Sequence, residues 1–338
     1  MKIIVDDKIP YLKGVIEQLA EEVVYLEGKA FTPEVVRDAD ALLIRTRTRC
    51  NRALLEGSRV RFIATATIGF DHIDTAYCAE AGITWTNAPG CNAASVAQYL
   101  HSVLLLMERD RHLKLQGATL GVVGVGHVGT KVAEVGRHLG MRVLLCDPPR
   151  AEQGETGFLP LEQLQEECDV LTFHTPLMRE GAYPTYHLVD ADFLKGCRRT
   201  PYLINTSRGE VVDNVALLEA LQKGLLQQAV IDVWENEPNI LPELLKTVWI
   251  GTPHIAGYSA DGKANATRMS LDALCRFFGI QGNYTILPPA LPEPMPLFHN
   301  EMEHQLWAYN PYGDSHRLKE NPALFEQLRG NYPLRREL

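Results

Sequence analysis

The stretch Thr119-Leu120-Gly121-Val122-Val123-Gly124-Val125-Gly126-His127-Val128-Gly129 constrains the fold of this chain more than any other. An apolar run meets a Gly-x-Gly-x-x-Gly turn that opens onto a helix pattern, Lys131-Val132-Ala133-Glu134-Val135-Gly136. The first glycine permits the tight turn, the second lets backbone approach a pyrophosphate, and the third allows helix and strand to pack closely. The helix N-terminus adds free N–H groups and partial positive charge for phosphate. Asp147 stands 23 positions after Gly124, at the end of the next apolar segment. A carboxylate there accepts hydrogen bonds from ribose hydroxyls and repels a 2′-phosphate. The spacing therefore predicts an NAD site built on Gly124, Gly126, His127, Val128, Gly129 and Asp147. Arg150 nearby is the residue that argues for NADP instead.

Short unbroken apolar runs precede this motif at Ile3–Val5, Val23–Tyr25, Ala41–Ile44 and Phe62–Ala64. Such runs suit parallel strands covered by helices on both faces. Later strand candidates are Arg142–Cys146, Val170–Phe173, Tyr202–Asn205, Ala229–Ile231 and Val248–Ile250, with long helix patterns over 94–108 and 259–278. The expected fold class is α/β: two open parallel-sheet Rossmann-like domains with a cleft between them, plus a small C-terminal extension. The expected boundaries are 1–93 with 258–280 for a flavodoxin-like substrate-binding domain, 94–257 for the NAD-binding domain, and 281–338 for the extension. Five prolines between Leu287 and Pro296 read as an extended linker into it.

Ligands of open α/β sheets bind beyond the carboxyl ends of the strands. Three loops in that position carry Arg208, Glu237 and His254. Each has an ordinary explanation alone: a capping arginine, a solvated turn glutamate, a loop histidine. Together they make a catalytic set for oxidising a secondary alcohol. Neutral imidazole takes the hydroxyl proton, a carboxylate orients the ring and stabilises the imidazolium, and a guanidinium grips an α-carboxylate.

Four stretches carry a resemblance: the glycine motif with Asp147, Asn205-Thr206-Ser207-Arg208-Gly209, Asp232-Val233-Trp234-Glu235-Asn236-Glu237-Pro238, and Thr252-Pro253-His254-Ile255-Ala256-Gly257. The chain resembles the D-isomer-specific 2-hydroxyacid dehydrogenase family over residues 1–280. The resemblance implies catalytic roles for Arg208, Glu237 and His254, and cofactor contacts from Thr175, Thr206, Asp232 and Gly257. A narrower likeness within the family rests on Val5–Tyr11, Ala64–His72 and His254–Ser259. It implies oxidation of 4-phospho-D-erythronate at C2 in vitamin B6 synthesis, substrate contacts from Thr46, Thr67 and Tyr258, and a homodimer held by the C-terminal region.

The Arg45-Thr46-Arg47-Thr48-Arg49 segment adds a basic patch to a chain with 33 Lys+Arg against 42 Asp+Glu. It makes Arg45 a candidate phosphate ligand, or else a solvated arginine edge, with alternation pointing Arg45, Arg47 and Arg49 to one side. A net charge of −9 opposes nucleic acid and anionic membrane as partners. Seven cysteines without metal-site or redox spacing indicate reduced thiols in the cytoplasm and no metal. Two other readings stay open: a dehydrogenase of another D-2-hydroxyacid such as D-3-phosphoglycerate, and a non-catalytic NADH-sensing binding protein.

Overall fold

Alternation along the first strands explains why they read as continuous apolar runs. In a computed structural model describing residues 1–291 and 293–337, Ile3, Val5, Leu43 and Ala64 pack into one core, while Ile4, Leu42, Ile44 and Ile63 pack into a second. Successive side chains leave opposite faces of a strand, so a sheet covered on both sides needs an apolar residue at every position.

The strands of this first unit are β1 (Lys2–Asp6), β2 (Glu22–Leu26), β3 (Ala41–Ile44), β4 (Phe62–Thr65) and β5 (Thr84–Thr86). They pair in the order β2-β1-β3-β4-β5, all parallel. The second unit holds β6 (Thr119–Val123), β7 (Arg142–Cys146), β8 (Val170–Phe173), β9 (Tyr202–Asn205), β10 (Gln228–Ile231) and β11 (Ile250–Gly251), in the order β11-β10-β9-β8-β6-β7 and again parallel. A further parallel bridge, Leu145 to Phe158, extends this sheet beyond β7. The order reverses between β6 and β8, the switch point where open α/β sheets bind ligands. Among the helices are α1 (Ala93–Arg111), α2 (His127–His138), α3 (Ala260–Phe278), α4 (Glu301–Ala308), α5 (Pro311–Glu320) and α6 (Phe325–Gly330).

The first unit comprises Met1–Asn92 and Ser259–Glu293, the second Ala93–Tyr258 and Pro294–Leu338. Ser259 caps α3, its Oγ accepting from Gly262 N at 2.8 Å, and Gly279 ends the helix at φ +67°. Leu271 and Leu274 of α3 join the core under β1, β3 and β4. In the second unit, Leu100, Val103 and Leu104 of α1 pack with Leu120 and Val122 of β6 and Val132 of α2.

The sequence reading set 281–338 apart as one region; the structure divides it at the proline-rich stretch, of which Pro292 lies outside the described residues. From Pro294 onward the chain adds to the second unit. Ser102 Oγ donates to Tyr309 O at 2.7 Å, Ser315 Oγ accepts from Gly251 N at 3.0 Å, and Leu318 and Phe325 are wholly buried in its core. Two other expectations need correction. Residues 45–48 form a turn, with Thr48 N donating to Arg45 O at 3.2 Å, so the arginines do not alternate along a strand. The edge strand β5, Thr-Trp-Thr, carries no apolar run and was not foreseen.

Candidate active site

At the switch point, sterics set the shape of the β6–α2 turn. Gly124 lies at φ +84°, and a Cβ there would meet the His174 and Thr175 backbone at 2.8 Å. A Cβ on Gly129 would fall 2.0 Å from Gly124 O, whereas one on Gly126 would meet nothing within 4 Å. Gly129 is therefore needed for packing and Gly126 for open space above the turn. α2 starts at His127 without a side-chain cap, leaving its first N–H groups available to an anion. Thr175 Oγ1, at the end of β8, is buried without a hydrogen-bond partner. A dinucleotide fits these residues: an uncapped helix start, an open glycine and an orphaned hydroxyl surround one end of the sheet.

Asp147 orders the far wall. Its Oδ2 accepts from Val125 N at 2.8 Å and its Oδ1 from Arg150 N at 3.2 Å, and a carboxylate retains further lone pairs for a ribose. The Arg150 side chain is bonded to Glu155 and to Val125 O, and it lies 5.0 Å over the Phe158 ring. An arginine held in this way is not presented to a 2′-phosphate. Burial lowers the His174 pKa to about 3, so the wall beside Thr206, 3.4 Å away, stays neutral.

The β9 loop is tied by Asn205, whose Oδ1 accepts from Ser207 N (3.1 Å) and Oγ (2.8 Å) while Nδ2 donates to Arg208 O (2.9 Å). Gly209 follows because any Cβ there would lie 2.0 Å from the Trp234 carbonyl. Arg208 itself donates only to the neighbouring Ser207 O at 2.8 Å, and among the described residues no carboxylate pairs with it. A half-buried guanidinium without a counter-ion suits an anionic ligand.

The β10 loop holds two glutamates with different partners. Glu235 accepts from His187 Nε2 at 2.7 Å and from Asn214 N at 2.9 Å, which turns it to a supporting role. Glu237 accepts from Trp234 N at 3.0 Å through Oε1 and meets His254 Nδ1 at 2.8 Å through Oε2. Burial raises the Glu237 pKa, but the His254 hydrogen bond and charge, the Trp234 N–H and Arg329 outweigh it, and the net direction is down. An ionised carboxylate only accepts, so Nδ1 carries a proton toward Glu237, and in the neutral imidazole Nε2 is the nitrogen left with a lone pair.

Asp232 fixes where His254 stands. Its carboxylate is 1% exposed and accepts from Thr252 Oγ1 (2.6 Å), Ile255 N (2.8 Å) and Ala256 N (2.9 Å); its carbonyl accepts from His254 N (2.7 Å). Burial pushes this carboxyl up, opposed by His254 and those three bonds. His254 adopts φ +57°, strain that the bonds on both sides of it hold in place.

The C-terminal segment completes this loop, which the sequence reading missed. Arg329 of α6 donates to Tyr258 Oη at 3.3 Å and lies 3.7 Å from Glu237 Oε2. Arg335, 8% exposed, donates to the carbonyls of Ser95, Ile255, Ala256 and Tyr258 and lies 4.0 Å over the Tyr309 ring. Nothing in the local pattern around either arginine marks it.

In the first unit, Arg45 donates to Lys8 O at 3.1 Å, and Thr46 is exposed. Thr67 Oγ1 donates to Gly69 O at 2.9 Å and lies 2.7 Å from Thr65 Oγ1. No carboxylate pairs with Arg45, Arg47 or Arg49 among the described residues.

Residues 96–256 match the family profile described as D-isomer specific 2-hydroxyacid dehydrogenase, NAD binding domain. Erythronate-4-phosphate dehydrogenase of Bacteroides fragilis is 62% identical over 338 residues, covering 100% of this chain and 97% of that protein. The chain belongs to the D-isomer-specific 2-hydroxyacid dehydrogenase family. This dehydrogenase is also 44% identical to erythronate-4-phosphate dehydrogenase of Porphyromonas gingivalis, over 100% of this chain and 94% of that one. Among solved structures, D-lactate dehydrogenase from Aquifex aeolicus complexed with NAD and lactic acid aligns with a TM-score of 0.67 at 26% identity, covering 86% of this chain and 100% of that one. The protein is an NAD-dependent dehydrogenase. Among the described residues no helix is long and apolar enough to cross a membrane.

Proposed function

We propose that this dehydrogenase oxidises 4-phospho-D-erythronate at C2 to (R)-3-hydroxy-2-oxo-4-phosphooxybutanoate, a step of pyridoxal 5′-phosphate biosynthesis. The Glu237–His254 hydrogen bond carries the chemistry, because it leaves Nε2 as a free base. The substrate follows from the name shared by relatives 62% and 44% identical.

Bound NAD would supply the acceptor for the C2 hydride. His254 Nε2 takes the hydroxyl proton, and Glu237 stabilises the imidazolium through Nδ1–H. Arg208 grips the carboxylate and polarises the C2 oxygen. Two electrons and one proton leave as hydride, the second proton passes to His254, and a carbonyl remains. Gly124, Gly126, His127, Val128 and Gly129 would hold the cofactor's pyrophosphate and Asp147 its ribose, Asp232 would contact the nicotinamide end, and Thr175, Thr206 and Gly257 would line the cofactor. Thr46, Thr67, Tyr258 and Arg45 are assigned to substrate, with Arg45 on the phosphate.

The chain works as a cytoplasmic homodimer in this reading. Leu297, 95% exposed, and the exposed Met295 and Trp307 supply apolar surface for a second copy. NADH formation from NAD is measured with 4-phospho-D-erythronate, D-3-phosphoglycerate and unphosphorylated D-erythronate in parallel. Turnover confined to the first supports the assignment; turnover of D-3-phosphoglycerate alone replaces it.

A further inference from the structure

His101 of α1, His138 of α2 and Glu301 at the start of α4 converge in the second unit, although 37 residues separate the two histidines and 163 separate His138 from Glu301. One ligand atom from each, the two Nε2 atoms and a Glu301 oxygen, lie within 4.8 Å of one another. Glu301 Oε1 is 2.6 Å from His138 Nε2 and 3.2 Å from His101 Nε2. The two rings stand edge to face, 6.0 Å apart at 82°.

A hydrogen bond explains only part of this. His138 and Glu301 satisfy each other, but His101 Nε2 is buried and makes no hydrogen bond of acceptable geometry. Glu301 Oε1 lies 3.2 Å from that nitrogen but off the line of a good hydrogen bond, and a buried ring nitrogen so poorly served is costly. Zinc bonds imidazole nitrogen at about 2.0–2.1 Å in tetrahedral geometry, which puts neighbouring ligand atoms about 3.3 Å apart. The His101–Glu301 separation, 3.2 Å, is close to that value, and His138 and Glu301, now 2.6 Å apart, would draw apart to admit the ion. His138 and Glu301 are 61% and 49% exposed, so the remaining coordination position opens to water.

We propose that His101, His138 and Glu301 form a site for a divalent transition-metal ion, best matched by Zn²⁺. Two imidazoles and a carboxylate suit zinc better than the hard oxygen-seeking ions. The ion clips α4 to α1 and α2 and so fastens the segment that leads on to Arg329 and Arg335.

The test uses tag-free, chelator-treated full-length protein titrated with ZnCl₂ by calorimetry, with thermal unfolding in parallel. One Zn²⁺ per chain and a raised unfolding temperature are expected. Both should be lost in His138→Gln and Glu301→Gln, with affinity falling more than about 100-fold, since even outer-shell partners of a metal are worth 10–100-fold. His101→Gln should match them; because that side chain is largely buried, the two exposed variants decide the matter if it fails to fold. Absence of zinc binding, or binding by His138→Gln and Glu301→Gln equal to wild type, overturns the proposal.

Discussion

Glu237 Oε2 and His254 Nδ1 lie 2.8 Å apart, although 17 residues separate them and His254 sits in a left-handed backbone conformation. The pair has a consequence for stability. Partners hold the Glu237 pKa down in the folded state, so its contribution is present above the unfolded-state value and is lost as pH falls through the folded one. Urea midpoints of wild type and Glu237→Gln should differ at pH 7 and converge progressively below about pH 4.3. A gap that widens on acidification would contradict the sign.

The second and third glycines of the cofactor turn should fail in different ways. Gly126→Ala meets open space, so folding should be unchanged while the KM for NAD rises. Gly129→Ala forces Cβ onto the Gly124 carbonyl and should cost about 1–3 kcal/mol as an overpacked site. Chemical denaturation beside NADH titration separates them, and equal stability losses in both would refute the distinction.

In the proposed function, cofactor choice rests on Asp147 and on the pairing of Arg150. Asp147→Ala should weaken NAD and improve the relative use of NADP, and adding Glu155→Ala should improve it further by freeing Arg150. The ratio of kcat/KM for the two cofactors reads this directly. An unchanged ratio in both variants means that another residue reads the ribose.

Arg335→Met should destabilise the second unit by about 1–3 kcal/mol, because it removes the buried guanidinium that donates to Ala256 O and to Gln98 Oε1 as well as to the carbonyls of Ser95, Ile255 and Tyr258. Those carbonyls flank His254, so kcat should fall at temperatures where the variant is still folded. Near-wild-type stability would remove Arg335 as the clamp.

Sequence alone exposed whatever is local. Ile3–Val5 and Ala41–Ile44 announced doubly covered strands, and the glycine turn announced its own geometry. Glu237 was separable from Glu235 by resemblance, and the structure adds the reason: His187 and Asn214 occupy Glu235. Short-range patterns failed where the chain turns or meets itself at long range. Arg45 to Arg49 looked like alternation but lie in a turn beyond β3, and Thr84–Thr86 is strand only because β4 pairs with it. Arg329, Arg335 and the His101–His138–Glu301 cluster acquire their surroundings from segments far away in the chain, so their neighbours in sequence say nothing of them.

In the proposed function His254, oriented by Glu237, is the base in NAD-linked oxidation of a phosphorylated 2-hydroxyacid. The most direct measurement is steady-state turnover of 4-phospho-D-erythronate by His254→Ala beside its NADH dissociation constant. With His254 as the base, kcat should be lower by about 10²–10⁴-fold, the usual worth of a general base, with NADH affinity within a few-fold of wild type. Turnover at the wild-type level would remove His254 from the mechanism.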